Sequence, residues 1–144
     1  MSNPLAPGSL TGKRVLVTGS SRGIGADTIR YFAEAGADVV INYRNKAARA
    51  EKLGVELRGL GVRAIVAGAD LTDPASVQEM FNMIRAEYGG LDILVLNASG
   101  GMESGMAADY ALTLNRDAQL NVLEAATPLL SEGARVVFVT SHQA

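Results

Sequence analysis

Short, nearly continuous apolar runs alternate along the chain with longer stretches in which apolar positions recur every three to four residues. The short runs cover residues 14–17, 39–42, 63–67, 93–96 and 135–139. Strands that are apolar at successive positions are buried on both faces, as in a parallel sheet covered by helices. Between them, residues 24–35 show helical spacing through Ile24, Ile29, Phe32 and Ala33. Residues 47–60 read as a helix with one charged face. Thr72-Asp73-Pro74 supplies an N-cap and a first-turn proline for a helix to about Tyr88, and Gly89-Gly90 stops it. Residues 115–130 are periodic as a helix. Alternating β and α units of this length form right-handed crossovers. The pattern therefore predicts an α/β fold, a doubly wound parallel sheet of five strands with four long helices. No internal repeat or boundary divides it. Residues 11–144 read as one domain, and residues 1–10 as a flexible tail.

Composition narrows the function. A chain of 144 residues can bury a proper core. Its net charge of −2 supplies no basic field for nucleic acid, so no nucleic-acid partner is expected. There are no cysteines, which removes disulfides, thiolate metal sites and cysteine nucleophiles and fits the cytoplasm. The single histidine, His142, makes neither a metal cluster nor a triad and reads as a loop residue near the pocket. No apolar run approaches the roughly 18 residues of a membrane span, and residues 1–8 lack a signal pattern. The expectation is no membrane partner and no metal.

The chemistry concentrates in residues 18–25, TGSSRGIG, after the first strand and at the start of the first helix. Gly19 permits a tight turn, Gly23 lets backbone approach a diphosphate, and Gly25 allows close helix–sheet packing. The helix N-terminus then presents free N–H groups and a positive dipole to an anion. The spacing Gly-x-x-x-Gly-x-Gly resembles the turn of the short-chain dehydrogenase/reductase family.

Further landmarks of that family follow in order. Asp70-Leu71 stands after the third strand, where family members hold the adenine. Residues 96–100, LNASG, resemble the family's NNAG, with Leu96 and Ser99 as departures. Contacts there run mainly through backbone, so Asn97, Ala98 and Ser99 are retained as cofactor residues. Asn115 matches the family's catalytic Asn, and Ser141 its catalytic Ser. The resemblance implies a Rossmann-type sheet in the order 3-2-1-4-5 and a homo-oligomer, with residues 115–130 as the association helix. The family's Tyr-x-x-x-Lys has no counterpart here. Tyr31, Tyr43, Tyr88 and Tyr110 precede Ala35, Ala47, Asp92 and Leu114 at that spacing. The chain is accordingly expected to be the front part of a longer protein, inactive alone.

Cofactor choice is read at the end of the second strand. An NAD site places a carboxylate there for the ribose 2′-hydroxyl. Here Tyr43 occupies the acidic position and Arg44 follows. Arg22, in the glycine turn, would lie across the same pocket. Guanidinium groups bind phosphate through paired, charge-assisted hydrogen bonds, so NADP(H) is the expected cofactor. The turn contributes Gly19, Ser21, Arg22, Gly23, Ile24 and Gly25 to that site. Residues 100–106 hold two Met residues and are a candidate substrate entrance. The functional expectation is NADPH-dependent reduction of a small carbonyl compound, or the reverse oxidation. The alternative is a catalytically inactive NADP-binding sensor.

Overall fold

The computed structural model describes residues 3–97 and 108–139, and side chains for residues 3–97 and 115–139. The elements run β1 (Arg14–Val17), α1 (Gly23–Glu34), β2 (Asp38–Tyr43), α2 (Ala47–Arg58), β3 (Ala64–Gly68), α3 (Pro74–Tyr88), β4 (Leu91–Asn97), α4 (Ala108–Ala126), a 3₁₀ turn (Thr127–Leu129) and β5 (Leu130–Val139). The five strands form one sheet in the order β3-β2-β1-β4-β5. Every pairing is parallel. This is the Rossmann-type doubly wound arrangement the sequence predicts.

Successive strand residues point to opposite faces, so each run feeds two cores. Leu16, Val40, Leu94 and Leu96 pack with Phe81 and Ile84 of α3 and Val122 of α4. Val15, Val17, Val39, Ile41 and Val95 pack with Ile29 and Ala33 of α1 and Leu53 and Leu57 of α2. All five strand residues of the second set are at most 2% exposed, which explains why these runs show no polar alternation.

Local signals set most ends. The Asp73 side chain accepts from the Ala75 N–H at the start of α3, and Gly89 ends that helix in the left-handed region at φ +80°. The last helix departs from expectation. Periodicity carries it to residue 130, but α4 stops at Ala126. Pro128 has no N–H and disfavours α geometry at Thr127, so the chain tightens into the 3₁₀ turn and enters β5 at Leu130. β5 therefore starts five residues before the expected 135. Its register shifts between the Leu91 and Ile93 pairings, and Gly133, at φ +80°, lies in the extra segment.

Two further contacts anchor the frame. At the N-terminal edge of the sheet, the Asp92 carboxylate accepts from Arg14 N and Nε, both at 2.9 Å, and from Ser131 Oγ at 2.7 Å. Arg14 Nη1 also donates to the Tyr88 carbonyl. This cluster joins β1, β4, β5 and the end of α3. Ahead of β1, Asn3 Nδ2 donates to the Tyr31 carbonyl and Leu10 N to the Ala35 carbonyl.

Candidate functional site

In an open parallel sheet, ligands bind outside the carboxyl ends of the strands where the strand order reverses. Here that point lies between β1 and β4, and a cleft opens there. Its walls come from Thr18 and Gly19 after β1, Asn42 and Arg44 at the end of β2, and Ala69 to Thr72 after β3. Leu96 and Asn97 of β4, and Asn115, Ala118, Gln119 and Val122 of α4, complete it.

The turn after β1 is pinned from both sides. Gly19 stands at φ +61° and Gly23 at φ +60°, conformations that glycine adopts without strain. From β4, Asn97 N donates to Thr18 Oγ1 at 3.0 Å, and Asn97 Nδ2 donates to the Gly19 carbonyl at 3.3 Å. From β2, the Gly19 N–H donates to Asn42 Oδ1 at 2.8 Å. Ser20 Oγ accepts from Asn42 N, while Ser20 N donates to the Asn42 carbonyl. Asn42 also donates from Nδ2 to the Ala67 carbonyl at 3.2 Å, with Met80 Sδ at 3.5 Å. At 2% exposure, this side chain joins the turn, β2 and β3 in one buried node.

The start of α1 suits an anion. Arg22 caps the helix in an extended conformation, its side chain makes no cap bond, and the first turn holds no acidic residue. A Cβ on Gly23 would find nothing within 4 Å, so the backbone there faces open space. A Cβ on Gly25 would strike the Gly19 carbonyl and lie 2.7 Å from Asn97 Nδ2. Gly25 thus sets how closely α1 approaches the turn. Ser21 is half-buried, and Arg22 and Gly23 are exposed. Ile24 is 59% exposed, off the core face that Gly25, Ala26, Ile29 and Ala33 form. These residues provide a backbone cradle into which a diphosphate fits.

Across the cleft, Asp70 Oδ1 accepts from Thr72 Oγ1 at 2.6 Å and Thr72 N at 3.0 Å. The Thr72 hydroxyl, then its amide, hold this carboxyl below the ordinary carboxylate range against the opposing effect of burial, and the nearby Arg44 charge adds a smaller pull in the same downward direction. Asp70 is therefore an anionic acceptor fixed at the cleft wall. Asn121 Nδ2 donates to the Leu71 carbonyl at 2.9 Å and ties the same loop to α4.

The structure gathers Gly19, Arg44, Asp70, Leu71, Asn97 and Asn115 around one cleft. Ser21, Arg22, Gly23, Ile24 and Gly25 follow in the turn and first helical residues beyond it. Tyr43 does not line the cleft. Alternation along β2 puts Asn42 and Arg44 on the cleft side, and the Tyr43 ring lies over Gly68 of β3. Ala98, Ser99, Ser141 and the segment 100–106 lie outside the described residues. Sequence reasoning missed Thr18, Asn42, Thr72 and Gln119. A β-strand period of two from Arg44 would have pointed to Asn42, and the Asp-x-Thr spacing to Thr72. Among the described residues no group of His, Cys, Asp or Glu is arranged to hold a metal ion, and no helix is long and apolar enough to cross a membrane.

This fold with this turn defines a dinucleotide-binding α/β protein. Residues 13–144 match the family model described as short chain dehydrogenase. The chain belongs to the short-chain dehydrogenase/reductase family. It is 38% identical over 149 residues to a short chain dehydrogenase/reductase, nsrJ, of Aspergillus novofumigatus, covering 99% of this chain and 56% of that one. It is 35% identical to a hydroxynaphthalene reductase-like protein, Arp2, of Metarhizium robertsii, over 97% and 55% of the two chains. A short chain dehydrogenase from Burkholderia cenocepacia, solved in complex with NADP, superposes with a TM-score of 0.79 at 40% identity. That match covers 90% of this chain and 56% of the other. The chain thus spans about half the length of the relatives it matches.

Proposed function

We propose that this chain carries the NADP(H)-binding part of an oxidoreductase that reduces a small carbonyl compound or oxidises the corresponding alcohol. One observation carries the cofactor assignment: Arg44 lines the same cleft as Gly19 and Asp70, with a tyrosine and no carboxylate beside it at the end of β2. A carboxylate at that point would favour a free ribose 2′-hydroxyl and repel a 2′-phosphate. An arginine does the opposite. The solved Burkholderia relative is a complex with NADP.

The residues divide the work. The exposed backbone at Gly23 and the N-terminal amides of α1 bind the diphosphate, with Gly25 keeping the helix close. Ile24 gives an apolar contact at the mouth. Arg44, joined by Arg22, binds the 2′-phosphate. Asp70 accepts a hydrogen bond from the adenine amine, and Leu71 covers the base. The Asn97, Ala98 and Ser99 segment borders the nicotinamide half through backbone. By family resemblance, Asn115 anchors a water in the proton relay and Ser141 orients the substrate oxygen. When bound, NADPH supplies the hydride. The proton comes from an acid that the described cleft residues do not include. The substrate is a small molecule, the whole protein is a homo-oligomer, and the cysteine-free composition fits a reducing cytoplasm.

The test is a pair of dissociation constants. NADPH should bind at least tenfold more tightly than NADH, the equivalent of about 1.4 kcal/mol. Equal affinities, or tighter NADH binding, would overturn the assignment.

A further inference from the structure

The Asp70 carboxylate is held by a peptide group that α4 grips from the opposite side. Asp70 Oδ1 accepts from the Thr72 N–H at 3.0 Å. The same peptide unit carries the Leu71 carbonyl, which accepts from Asn121 Nδ2 at 2.9 Å. The unit is trans, so its N–H and C=O point in opposite directions within one plane. A tilt of that plane strains both bonds together. Asn121, the Leu71–Thr72 peptide and Asp70 therefore form a chain of hydrogen bonds that runs from α4 to the cleft wall.

The other bonds of this loop leave that tilt open. Ala69 N donates to the Tyr43 carbonyl at 3.1 Å and Asp70 N to Ser76 Oγ at 3.0 Å, which attaches the start of the loop to β2 and α3. Asp73 N donates to the Asp70 carbonyl at 3.0 Å and closes a four-residue turn whose central peptide is the Leu71–Thr72 unit. Such a bond fixes the ends of a turn, while its central plane answers to its own contacts. Thr72 is β-branched and resists the positive φ of a full flip, so the remaining freedom is a tilt.

Asn121 is placed for this task and not for touching a ligand. Asn115, Ala118, Gln119 and Val122 line the cleft from one face of α4, at helical spacing. Half-buried Asn121 stands beside that face, one turn after Ala118, and does not line the cleft. The Leu71 side chain packs against the core shared by α3 and α4. That packing keeps the loop near the helix but is non-directional. A hydrogen bond sets both distance and orientation. Among the described side chains, no other hydrogen bond crosses from α4 to this loop.

We propose that Asn121 is a positioning residue for the adenine end of the cofactor: by gripping the Leu71 carbonyl it sets the tilt of the Leu71–Thr72 peptide, whose N–H holds the Asp70 carboxylate in place at the cleft wall. This rests on the reading above in which Asp70 accepts from the adenine amine. Loss of the Asn121 amide leaves the Leu71 carbonyl to mobile water, and Asp70 then meets the base less precisely.

The test is a double-mutant cycle on the full-length protein, using Asn121→Leu, Asp70→Ala and the pair. Isothermal titration with 2′,5′-ADP reads the adenosine half alone, and NADPH reads the whole cofactor. Asn121→Leu should weaken both by the same factor, about fivefold. In the Asp70→Ala background it should change almost nothing, because the carboxylate it positions is gone. A loss confined to NADPH would place the effect at the nicotinamide end and overturn the proposal. Unchanged affinities, or equal losses with and without Asp70, would overturn it as well, since a purely structural role gives one or the other. Should Asn121→Leu fail to fold, Asn121→Ala decides, because alanine suits a helix and adds no bulk. Weaker 2′,5′-ADP binding by that variant supports the proposal; unchanged binding, or a second failure to fold, overturns it. A wild-type protein that binds 5′-ADP as tightly as 2′,5′-ADP overturns the 2′-phosphate reading alone, and the same cycle with 5′-ADP then decides this inference. A wild-type protein that binds no adenine nucleotide overturns both.

Discussion

Asn42 offers the sharpest test of how the fold builds the site. Replacing it with Leu keeps the branched shape and removes every polar atom of the side chain. Two partners then lose their bonds: the Gly19 N–H, held at 2.8 Å, and the Ala67 carbonyl, at 3.2 Å. A buried polar group left without a partner costs about 1–3 kcal/mol. Gly19 borders the open cleft, so water can replace Asn42 there and the cost falls near the lower end. Ala67 is 2% exposed, but its carbonyl keeps the ladder bond from the Tyr43 N–H in the parallel β2–β3 pairing, so it loses only one of two donors. The sum is about 1–3 kcal/mol, a sizeable share of the roughly 5–15 kcal/mol that a domain has. Urea unfolding should show this loss as a lower midpoint with an unchanged slope. Gly19 also begins the turn proposed above to bind the diphosphate, so NADPH affinity should fall by about tenfold in protein that remains folded. A stability loss under 1 kcal/mol would refute the reasoning, because it would mean that the buried node contributes nothing.

Other predictions follow from single contacts. Arg44→Ala should weaken NADPH binding by about 1.5–3 kcal/mol and leave NADH almost unaffected, as isothermal titration would record. Gly25→Ala should abolish measurable cofactor binding and cost about 1–3 kcal/mol in thermal unfolding, since the new methyl meets the Gly19 carbonyl and the Asn97 amide. Arg14 holds the Asp92 carboxyl well below the usual carboxylate range, with help from Ser131 and against burial. A depressed folded-state pKa means that this stabilisation is fully present above about pH 4 and is lost as pH falls below it. Chemical denaturation from pH 6 down to pH 2 should therefore show a steep decline, and Asp92→Asn should flatten it.

Much of the architecture was legible because it is locally encoded. Apolar runs identified the strands, and Asp73, Pro74 and Gly89 marked both ends of α3. The errors arose where distant contacts or backbone breaks decide. Periodicity from 115 to 130 does not register that Pro128 ends an α-helix, nor that Gly133 lets β5 begin early and shift its register. The site divides in the same way. Gly19, Gly23, Gly25, Arg44 and Asp70 show in the sequence because their roles depend on spacing within one turn or loop. Asn42 does not, because its importance comes from partners 23 and 25 residues away along the chain. The seat of the Tyr43 ring over Gly68 likewise depends on the β2–β3 register, which no local pattern specifies.

The described residues of the cleft limit the chemistry that they can support by themselves. Carbonyl reduction needs a proton donor near the developing alkoxide, and general acid–base assistance typically contributes about 10²–10⁴ in rate. Of the described residues lining the cleft, Asp70 is held in its anionic form and Arg44 offers a guanidinium, a hydrogen-bond donor. The remaining polar side chains are Thr18, Thr72, Asn42, Asn97, Asn115 and Gln119, whose hydroxyls and amides do not titrate in water near pH 7. Asn115 can orient a water but cannot supply a proton as an acid. This described set contains no general acid. Residues 1–144 purified alone should thus bind NADPH, with fluorescence enhancement, and show no turnover with a panel of ketones and aldehydes. The longer protein should turn over at least one of them. Turnover by residues 1–144 at a rate comparable to the longer protein would refute the argument and require an acid within this chain outside the described cleft. A longer protein that binds NADPH but reduces nothing would favour a cofactor-binding module over an enzyme.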